Sequence, residues 1–402
     1  MDNASTPYIL EVSWGCPSEK YPIHGVFQFD QAKALHEAGE RVVFLALDLR
    51  SIRRWRKWGV NRRSLSDIPV YEYNFPCGPM PPAVKYRIQD HAFKRAIRAI
   101  EKEFGKPRLI HIHTCQQAIS ATEYCRCSDI PYFITEHITP LDETAPIESR
   151  KRDALHGAAC VICVSNALGR DIKRTYDVDF TVVPNIVDLS DFRYTGPETA
   201  STSSTSQGSS HITHIISAGR VDRGKGFDIL IRAYAELKKT DPDVHLTIMG
   251  DGPEMDMIRS LATQLGIPED HTTGESDSTS ADVRGSVTFT GIYHRNEFAE
   301  ALKHSDIFVL PSRSETFGIV YAEAMAAGVP VIGTRCGGPE DFVEDSDGIL
   351  VPVDDVKALA DAMAVMIEEY DNYDSASIAE SVRERFAPAA IASRLLQIFY
   401  QR

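Results

Sequence analysis

"PSRSETFGIVYAEAMAAGVPVIGTRCGGPEDFV", residues 311–343, decides the fold. The apolar run "DIFVLPS" (306–312) feeds into Pro311-Ser312 and reads as a buried strand. Residues Gly318 to Ala327 have strong helical character, and Gly328 and Pro330 close that helix. "VPVIGT" (329–334) is a second apolar strand. A strand, a helix and a strand in this order form a parallel crossover unit.

The same rhythm extends outward in both directions. Upstream come "HITHIISAG" (211–219), "VHLTIMG" (244–250) and "SVTFTG" (286–291); downstream comes "GILVPV" (348–353), with helices from about residue 354. The amino-terminal half repeats the pattern with "YILEVSW" (8–14), a helix-like "VFQFDQAKALHEAG" (26–39), "RVVFLAL" (41–47), "RLIHIH" (108–113), "PYFITEH" (131–137), "ACVICVS" (159–165) and "FTVVPN" (180–185). Such runs, separated by helices, predict parallel sheets covered on both faces. "GPETASTSSTSQGSS" (196–210) interrupts the rhythm and reads as a linker or exposed loop, and "EDHTTGESDSTSADVRGS" (269–286) reads as a polar insert that loops out. The fold class expected is therefore α/β, with two doubly wound Rossmann-like domains. Residues 1–190 form the first, 191–210 the linker and 211–385 the second, with a last helix at 386–402. Ligands of such folds sit at the carboxyl ends of the strands.

Composition excludes several classes. A net charge of −14 argues against general nucleic-acid binding. No run reaches the roughly 18–20 apolar residues of a membrane span. The start, MDNASTP, lacks a secretory signal, so a cytoplasmic location is expected. Eight cysteines in 402 residues are too few for a disulfide scaffold. Cys160 and Cys163 lie in an apolar run and read as small core residues; neither they nor the Cys125/Cys127 pair are expected to bind zinc, since a structural site wants four well-placed ligands. The Asp-x-Asp triplets at 177/179, 241/243 and 345/347 sit in turn-like polar stretches and are read as noise, so no metal is expected.

Two features suit an anion. "GRVDRGKG" (219–226) follows a strand and precedes the helix-like "DILIRAYAELKK". It matches seven positions of a Walker A loop, but Gly226 stands where Ser or Thr would hold magnesium. Glycines that admit backbone N–H groups, a helix N-terminus, Arg220 and Lys225 together still favour a phosphate. A solvated Gly-rich turn is the plain alternative. The second feature is the pair Glu315 and Glu323. One precedes the helix and the other lies one to two turns inside it, on the order of 12 Å apart. That separation is too long for one reacting centre and is the scale of a nucleotide sugar. Each carboxylate can accept from a pair of hydroxyls, and the free N–H groups near Phe317 and Gly318 can receive phosphate or sugar oxygens.

These pieces share their order with one family. Glu315…Glu323 (E-x7-E), "SAGRVDRGKGFDILIRAY", "MGDGPE", "PSRSETFG", "EAMAAGVPVIGT" and "GGPEDFV", with "YPIHGVFQFDQAKALHEAGERV", "IHIHT", "TEH", "CVSNALGRDI" and "VPNIVD", make the chain resemble a family-4 retaining glycosyltransferase of the GT-B fold. The resemblance covers most of residues 8–370. It implies two Rossmann-like domains facing a central cleft that closes on the donor, and a last helix that crosses back to the first domain. It implies that Arg220 and Lys225 hold the donor diphosphate, Glu315 the transferred sugar and Glu323 the ribose, while Phe317 and Gly318 offer backbone N–H groups. Gly25 would line the amino-terminal side. His137 would face the transferred sugar; a strand-end histidine satisfied by backbone is the alternative for it. On this resemblance Glu315, Lys225, Arg220 and His137 are the catalytic candidates. His24 precedes Gly25 where the family often has a second glycine.

The resemblance further implies transfer of a hexose-type sugar from a UDP- or GDP-linked donor, with no cofactor and no metal. The acceptor would be a saccharide or lipid-linked hydroxyl in polysaccharide or glycolipid biosynthesis. "RSIRRWRKWGVNRR" (50–63) combines seven basic residues with two tryptophans and suits an anionic membrane surface, which predicts peripheral docking. A solvated loop or a phosphosugar-binding patch is the competing reading of that segment. An inactive nucleotide-sugar-binding protein and a P-loop-like NTPase are the competing readings of the whole.

Overall fold

The computed structural model describes residues 6–21, 24–50, 57–78, 80–140, 144–187, 189–194, 196, 212–271 and 283–401. The Ser/Thr-rich stretch 196–210 apart from Gly196, the centre of the second polar insert (272–282) and residues 51–56 of the basic segment lie outside the described residues. The chain divides into two compact units, Met1–Ile186 with Pro388–Arg402, and Val187–Ala387.

The first unit is built on an eight-stranded sheet. Its strands are β1 (Ile9–Ser13), β2 (Val42–Arg50), β3 (Gly59–Leu65), β4 (Ile68–Pro76), β5 (Leu109–His113), β6 (Tyr132–Glu136), β7 (Cys160–Cys163) and β8 (Thr181–Val182). They lie in the order β3-β4-β2-β1-β5-β6-β7-β8. Pairing is parallel except at β3, which runs antiparallel to β4 at the edge. That hairpin was not expected from the sequence. "GVNRRSL" alternates between half-buried and exposed positions instead of forming an apolar run. Its two-residue turn is Ser66-Asp67, both at positive φ (49° and 62°), a type I′ geometry usually announced by glycine.

Helices α1 (Val26–Glu37), α2 (Pro82–Phe104), α3 (Cys115–Ser128), α4 (Ala145–Gly157) and α5 (Asn166–Tyr176) belong to this sheet. Strands β1, β5 and β6 are buried along their whole length, as parallel strands covered on both faces must be.

The second unit carries β9 (Thr213–Ala218), β10 (Val244–Met249), β11 (Ser286–Gly291), β12 (Ile307–Val309), β13 (Val331–Thr334) and β14 (Gly348–Val351), all parallel. Their order, β11-β10-β9-β12-β13-β14, is that of a Rossmann sheet. It reverses between β9 and β12, so the loops leaving those two strands diverge around a crevice at their carboxyl ends. Among the described residues six α-helices accompany it: α6 (Phe227–Thr240), α7 (Met255–Gln264), α8 (Arg295–Lys303), α9 (Ile319–Ala326), α10 (Val356–Glu368) and α11 (Ser375–Phe386). The final helix, α12 (Pro388–Tyr400), belongs to the first unit and packs on α1. Its Ile391, Leu395 and Phe399 are buried in the core with Phe29, Phe44 and Phe133. Each such side chain contributes roughly 1.5–3 kcal/mol by leaving water. Among the described residues no helix is long and apolar enough to cross a membrane.

Candidate active site

The β9–β12 reversal brings the two anion features of the second unit together. After β9 the chain forms a short 3-10 turn, Arg223–Lys225, in which Asp222 accepts from the Gly224 N–H at 3.0 Å. Gly226 follows at φ 69° and starts α6. A Cβ at Gly226 would lie 2.0 Å from the Pro311 carbonyl oxygen. The eighth Walker position therefore cannot carry Ser or Thr here, because the loop is seated directly on the segment leaving β12. Lys225 reaches across that seat, its Nζ 2.6 Å from Glu315 Oε1, and the Ser312 hydroxyl donates to the same oxygen at 2.7 Å. Arg220, by contrast, is 72% exposed and lies 3.4 Å from Asp222. Its guanidinium faces water and is accessible to an anion.

Arg313, which the sequence reading did not single out, fastens this arrangement. Its backbone N–H donates to the Gly224 carbonyl at 2.7 Å, and its guanidinium donates to the Arg223 carbonyl at 2.7 Å. The same guanidinium binds Asp228 through two bonds of 2.9 Å and Asp354 at 2.6 Å. Such a planar fork suits a bidentate carboxylate. Burial pushes the Asp228 carboxyl up, but the bonds and charge of Arg313 outweigh it, so the carboxyl sits below its ordinary value.

Glu315 is held through its backbone as well, its carbonyl accepting from Gly338 N–H at 2.8 Å. Gly318, at φ 92°, is the entry to α9. Among the described residues neither the Phe317 nor the Gly318 N–H is donated to a protein acceptor, as befits the first turn of a helix. The Phe317 ring is buried against Phe342 and Phe386, so only its backbone is available. Glu323, inside α9, is nearly buried and lies 2.9 Å from Arg295, whose guanidinium covers the Phe192 ring. The nearby Tyr293 hydroxyl is pushed up to about 12, by burial first and then by the Glu323 charge. The geometry thus groups Lys225 and Glu315, and leaves Glu323 with a cation of its own.

The remaining two candidates belong to the first unit, whose sheet reverses between β1 and β5. Gly25 begins α1 at φ 73°, and a Cβ there would lie 2.4 Å from the Gly15 carbonyl oxygen, so a side chain does not fit. His137 follows β6 and is buried. Both its ring nitrogens are engaged, Nε2 3.0 Å from His113 Nδ1 and Nδ1 2.9 Å from the Asn185 side-chain oxygen. Burial, then the His113 charge, push the His137 imidazole down to about 3. His113 Nε2 lies 2.8 Å from Glu11 Oε2, and His111 is 2.9 Å from the same carboxylate. Glu11, His111 and His113 are the one grouping among the described residues whose ligand-type atoms stand close enough for a shared cation, within 4.8 Å. Here they are joined to one another, to Thr135 and to His137 by hydrogen bonds.

Comparison with known proteins identifies the family. The model for "Glycosyltransferase Family 4" matches residues 25–191, and that for "Glycosyl transferases group 1" matches residues 212–369. The chain belongs to the family-4 glycosyltransferases. It is 26% identical over 387 residues to N-acetyl-alpha-D-glucosaminyl L-malate synthase of Bacillus anthracis, covering 94% of this chain and 93% of that one. It is 33% identical over 189 residues to the lipopolysaccharide core biosynthesis glycosyltransferase LpsE of Rhizobium meliloti (strain 1021), a match that spans 46% of this chain and only about half, 48%, of LpsE. The GT-B fold is shared with sucrose-phosphate synthase of Thermosynechococcus elongatus (TM-score 0.72, 19% identity, 98% of both chains). It is also shared with Anabaena Alr3699/HepE solved with UDP (TM-score 0.68, 19% identity, 98% of this chain and 100% of that one).

Arg313, Ser312, Arg295 and the Glu11–His113 link are the residues that motif reading did not reach. The alternation of His111 and His113 on one strand face was the available sign of the last of these; Glu11 joins it only through the β1–β5 register, Glu11 opposite His111.

Proposed function

We propose that this family-4 glycosyltransferase moves a hexose-type sugar from a nucleoside-diphosphate sugar to a hydroxyl acceptor with retention of configuration, in polysaccharide or glycolipid biosynthesis. The observation that carries the reading is the Lys225–Glu315–Ser312 cluster at the β9–β12 reversal. A carboxylate there can receive sugar hydroxyls, and Lys225 keeps two further N–H donors for a phosphate. Arg220 is the second cation for the diphosphate, the Phe317 and Gly318 N–H groups supply neutral donors, and Glu323 accepts from the ribose. Gly25 and His137 are assigned to the amino-terminal side of the donor, with His137 at the transferred sugar. HepE bound to UDP supports a UDP-linked donor; a GDP-linked one is the other candidate.

In the proposed step the acceptor oxygen bonds to the anomeric carbon as the bond to the diphosphate oxygen breaks on the same face. The leaving oxygen takes the acceptor's proton. Lys225, Arg220 and the α9 N-terminus stabilise the charge that grows on the diphosphate, which is electrostatic catalysis and assigns no step to a metal. LpsE and the malate glycoside synthase, by their names, act on a lipopolysaccharide core and on malate; for this chain the acceptor assigned is a saccharide or a lipid-linked hydroxyl. The basic segment 50–63 is assigned to an anionic membrane surface. The test is transfer from a panel of UDP- and GDP-sugars to saccharide and lipid-linked acceptors, by wild type, Lys225→Ala and Glu315→Ala. Transfer by wild type and a loss of roughly 10²–10³-fold in each variant, with unchanged unfolding, is expected. Equal turnover in all three would overturn the site.

A further inference from the structure

The hydrogen-bond chain beneath His137 fixes more than a side-chain position. Its outer end is the Asn185 oxygen, 2.9 Å from His137 Nδ1, and an amide oxygen only accepts. With that oxygen as the acceptor, His137 carries its proton on Nδ1 and its Nε2 accepts from His113 Nδ1–H at 3.0 Å. His113 Nε2 is left facing Glu11 Oε2 at 2.8 Å, a contact that two lone pairs cannot share. One proton must lie on that link. A net-neutral Glu11–His113 pair is also what a site of zero exposure favours, since an uncompensated buried charge is costly. His111 closes the inner end. Its Nδ1 is bound to Glu11 and its Nε2 lies 2.7 Å from the Thr135 hydroxyl, with the Phe399 ring packed on its edge.

We propose that a single proton shared between Glu11 and His113 locks His137 as the Nδ1–H tautomer in one orientation, which makes Glu11, His113 and Asn185 positioning residues for His137. With both nitrogens committed, His137 does not act as a general base. It presents a fixed ring edge and a fixed backbone. The link to catalysis rests on the donor-side role proposed above for His137; the proton order does not.

The test reads the ring nitrogens directly. In uniformly 15N-labelled full-length protein, two-bond 1H–15N correlation, assigned through a His137→Gln variant, is expected to show His137 protonated at Nδ1 alone. Asn185→Ala and Glu11→Leu are expected to release it into a mixture of tautomers. Glu11→Gln, whose amide N–H can donate to His113 in place of the shared proton, is expected to retain the Nδ1–H form. Asn185→Ala acts at the far end of the chain from the core strand, so it reads the lock even where Glu11→Leu does not fold. A wild-type His137 protonated at Nε2, or an unchanged spectrum in Asn185→Ala, would overturn the proposal. So would zinc titrated into wild type at one equivalent that shifts the His111 and His113 nitrogens, which would make the cluster a cation site. With a donor in hand, Asn185→Ala is expected to lower kcat by about 10–100-fold at little change in donor KM. Transfer that is normal in wild type with the wrong tautomer sinks this inference alone. The expected tautomer without any transfer sinks only the functional reading.

Discussion

Replacing Arg313 by Ala deletes the side-chain fastening of the Lys225 loop while leaving Lys225 and Glu315 in place. Four side-chain bonds go: two to Asp228 at 2.9 Å, one to Asp354 at 2.6 Å and one to the Arg223 carbonyl at 2.7 Å. The Asp354 side chain is 54% exposed, so that link is worth little. The Asp228 pair is the larger loss, because both partners are mostly shielded and the carboxylate is left without its fork. A buried pair broken on one side costs about 3–5 kcal/mol; discounted for the residual exposure, about 2–3 kcal/mol is expected here. In a unit of this size each kcal/mol moves the melting temperature by about 2–4 °C, which gives roughly 4–12 °C. Of the bonds from residue 313 to this loop only the backbone one to the Gly224 carbonyl would remain, and a displacement of Lys225 by about 1 Å costs on the order of 10²-fold in rate. Calorimetry and a transfer assay on wild type, Arg313→Ala and Arg313→Lys measure both effects. Lysine, without the planar fork, should fall between the other two. The pH dependence adds a control. The Asp228 carboxyl is held below its ordinary value, so the pair stabilises fully above the unfolded carboxyl value of about 3.9. That stability is lost as pH falls through the folded value, so the gap between wild type and variant should begin to narrow below about pH 4 and close only below the lowered folded value. A melting temperature within about 1 °C of wild type together with an unchanged rate would refute the fastening argument.

Gly226→Ala should cost about 1–3 kcal/mol and most of the activity, since it forces a side chain into φ 69° and against the Pro311 carbonyl; thermal unfolding and turnover check it. The His137 imidazole, pushed down to about 3, stays unprotonated in the folded chain while the unfolded one titrates near 6.5. Stability should therefore fall as pH drops from about 6.5 towards 3, by up to about 1.4 kcal/mol per pH unit from this group, and urea unfolding of His137→Gln should show a shallower slope. Liposomes of anionic lipid should retain the protein at low salt and release it at high salt, and neutralising Arg53, Arg54, Arg56 and Lys57 should abolish flotation; binding that survives the substitutions contradicts the membrane assignment of 50–63.

Much of the architecture was legible because parallel strands buried on both faces leave continuous apolar runs, as "VVFLAL" in β2 and "VIGT" in β13 do. Lys225 and Glu315 were legible because a glycine-rich loop and a helix entry each have a local signature. The β3–β4 hairpin was not, because an edge strand with one wet face reads as a polar segment and its Ser66-Asp67 turn lacks glycine. Arg313 was hidden for a different reason. Its partners Asp228 and Asp354 lie 85 and 41 positions away along the chain, and nothing local distinguishes it from a solvated arginine. Glu11 was hidden by register. It meets His111 and His113 only because β1 pairs with β5 at a particular offset, which no motif records.

The proposed nucleoside-diphosphate sugar site at the β9–β12 reversal is open to test by thermal unfolding against UDP, GDP, ADP and ATP, each in EDTA and then with magnesium. Ligand at 100 times its dissociation constant should stabilise by roughly 2.7 kcal/mol, a shift of several degrees. That shift is expected with UDP or GDP in EDTA, and its loss in Lys225→Ala. A shift that appears only with ATP and magnesium, and survives Lys225→Ala, would contradict that site assignment.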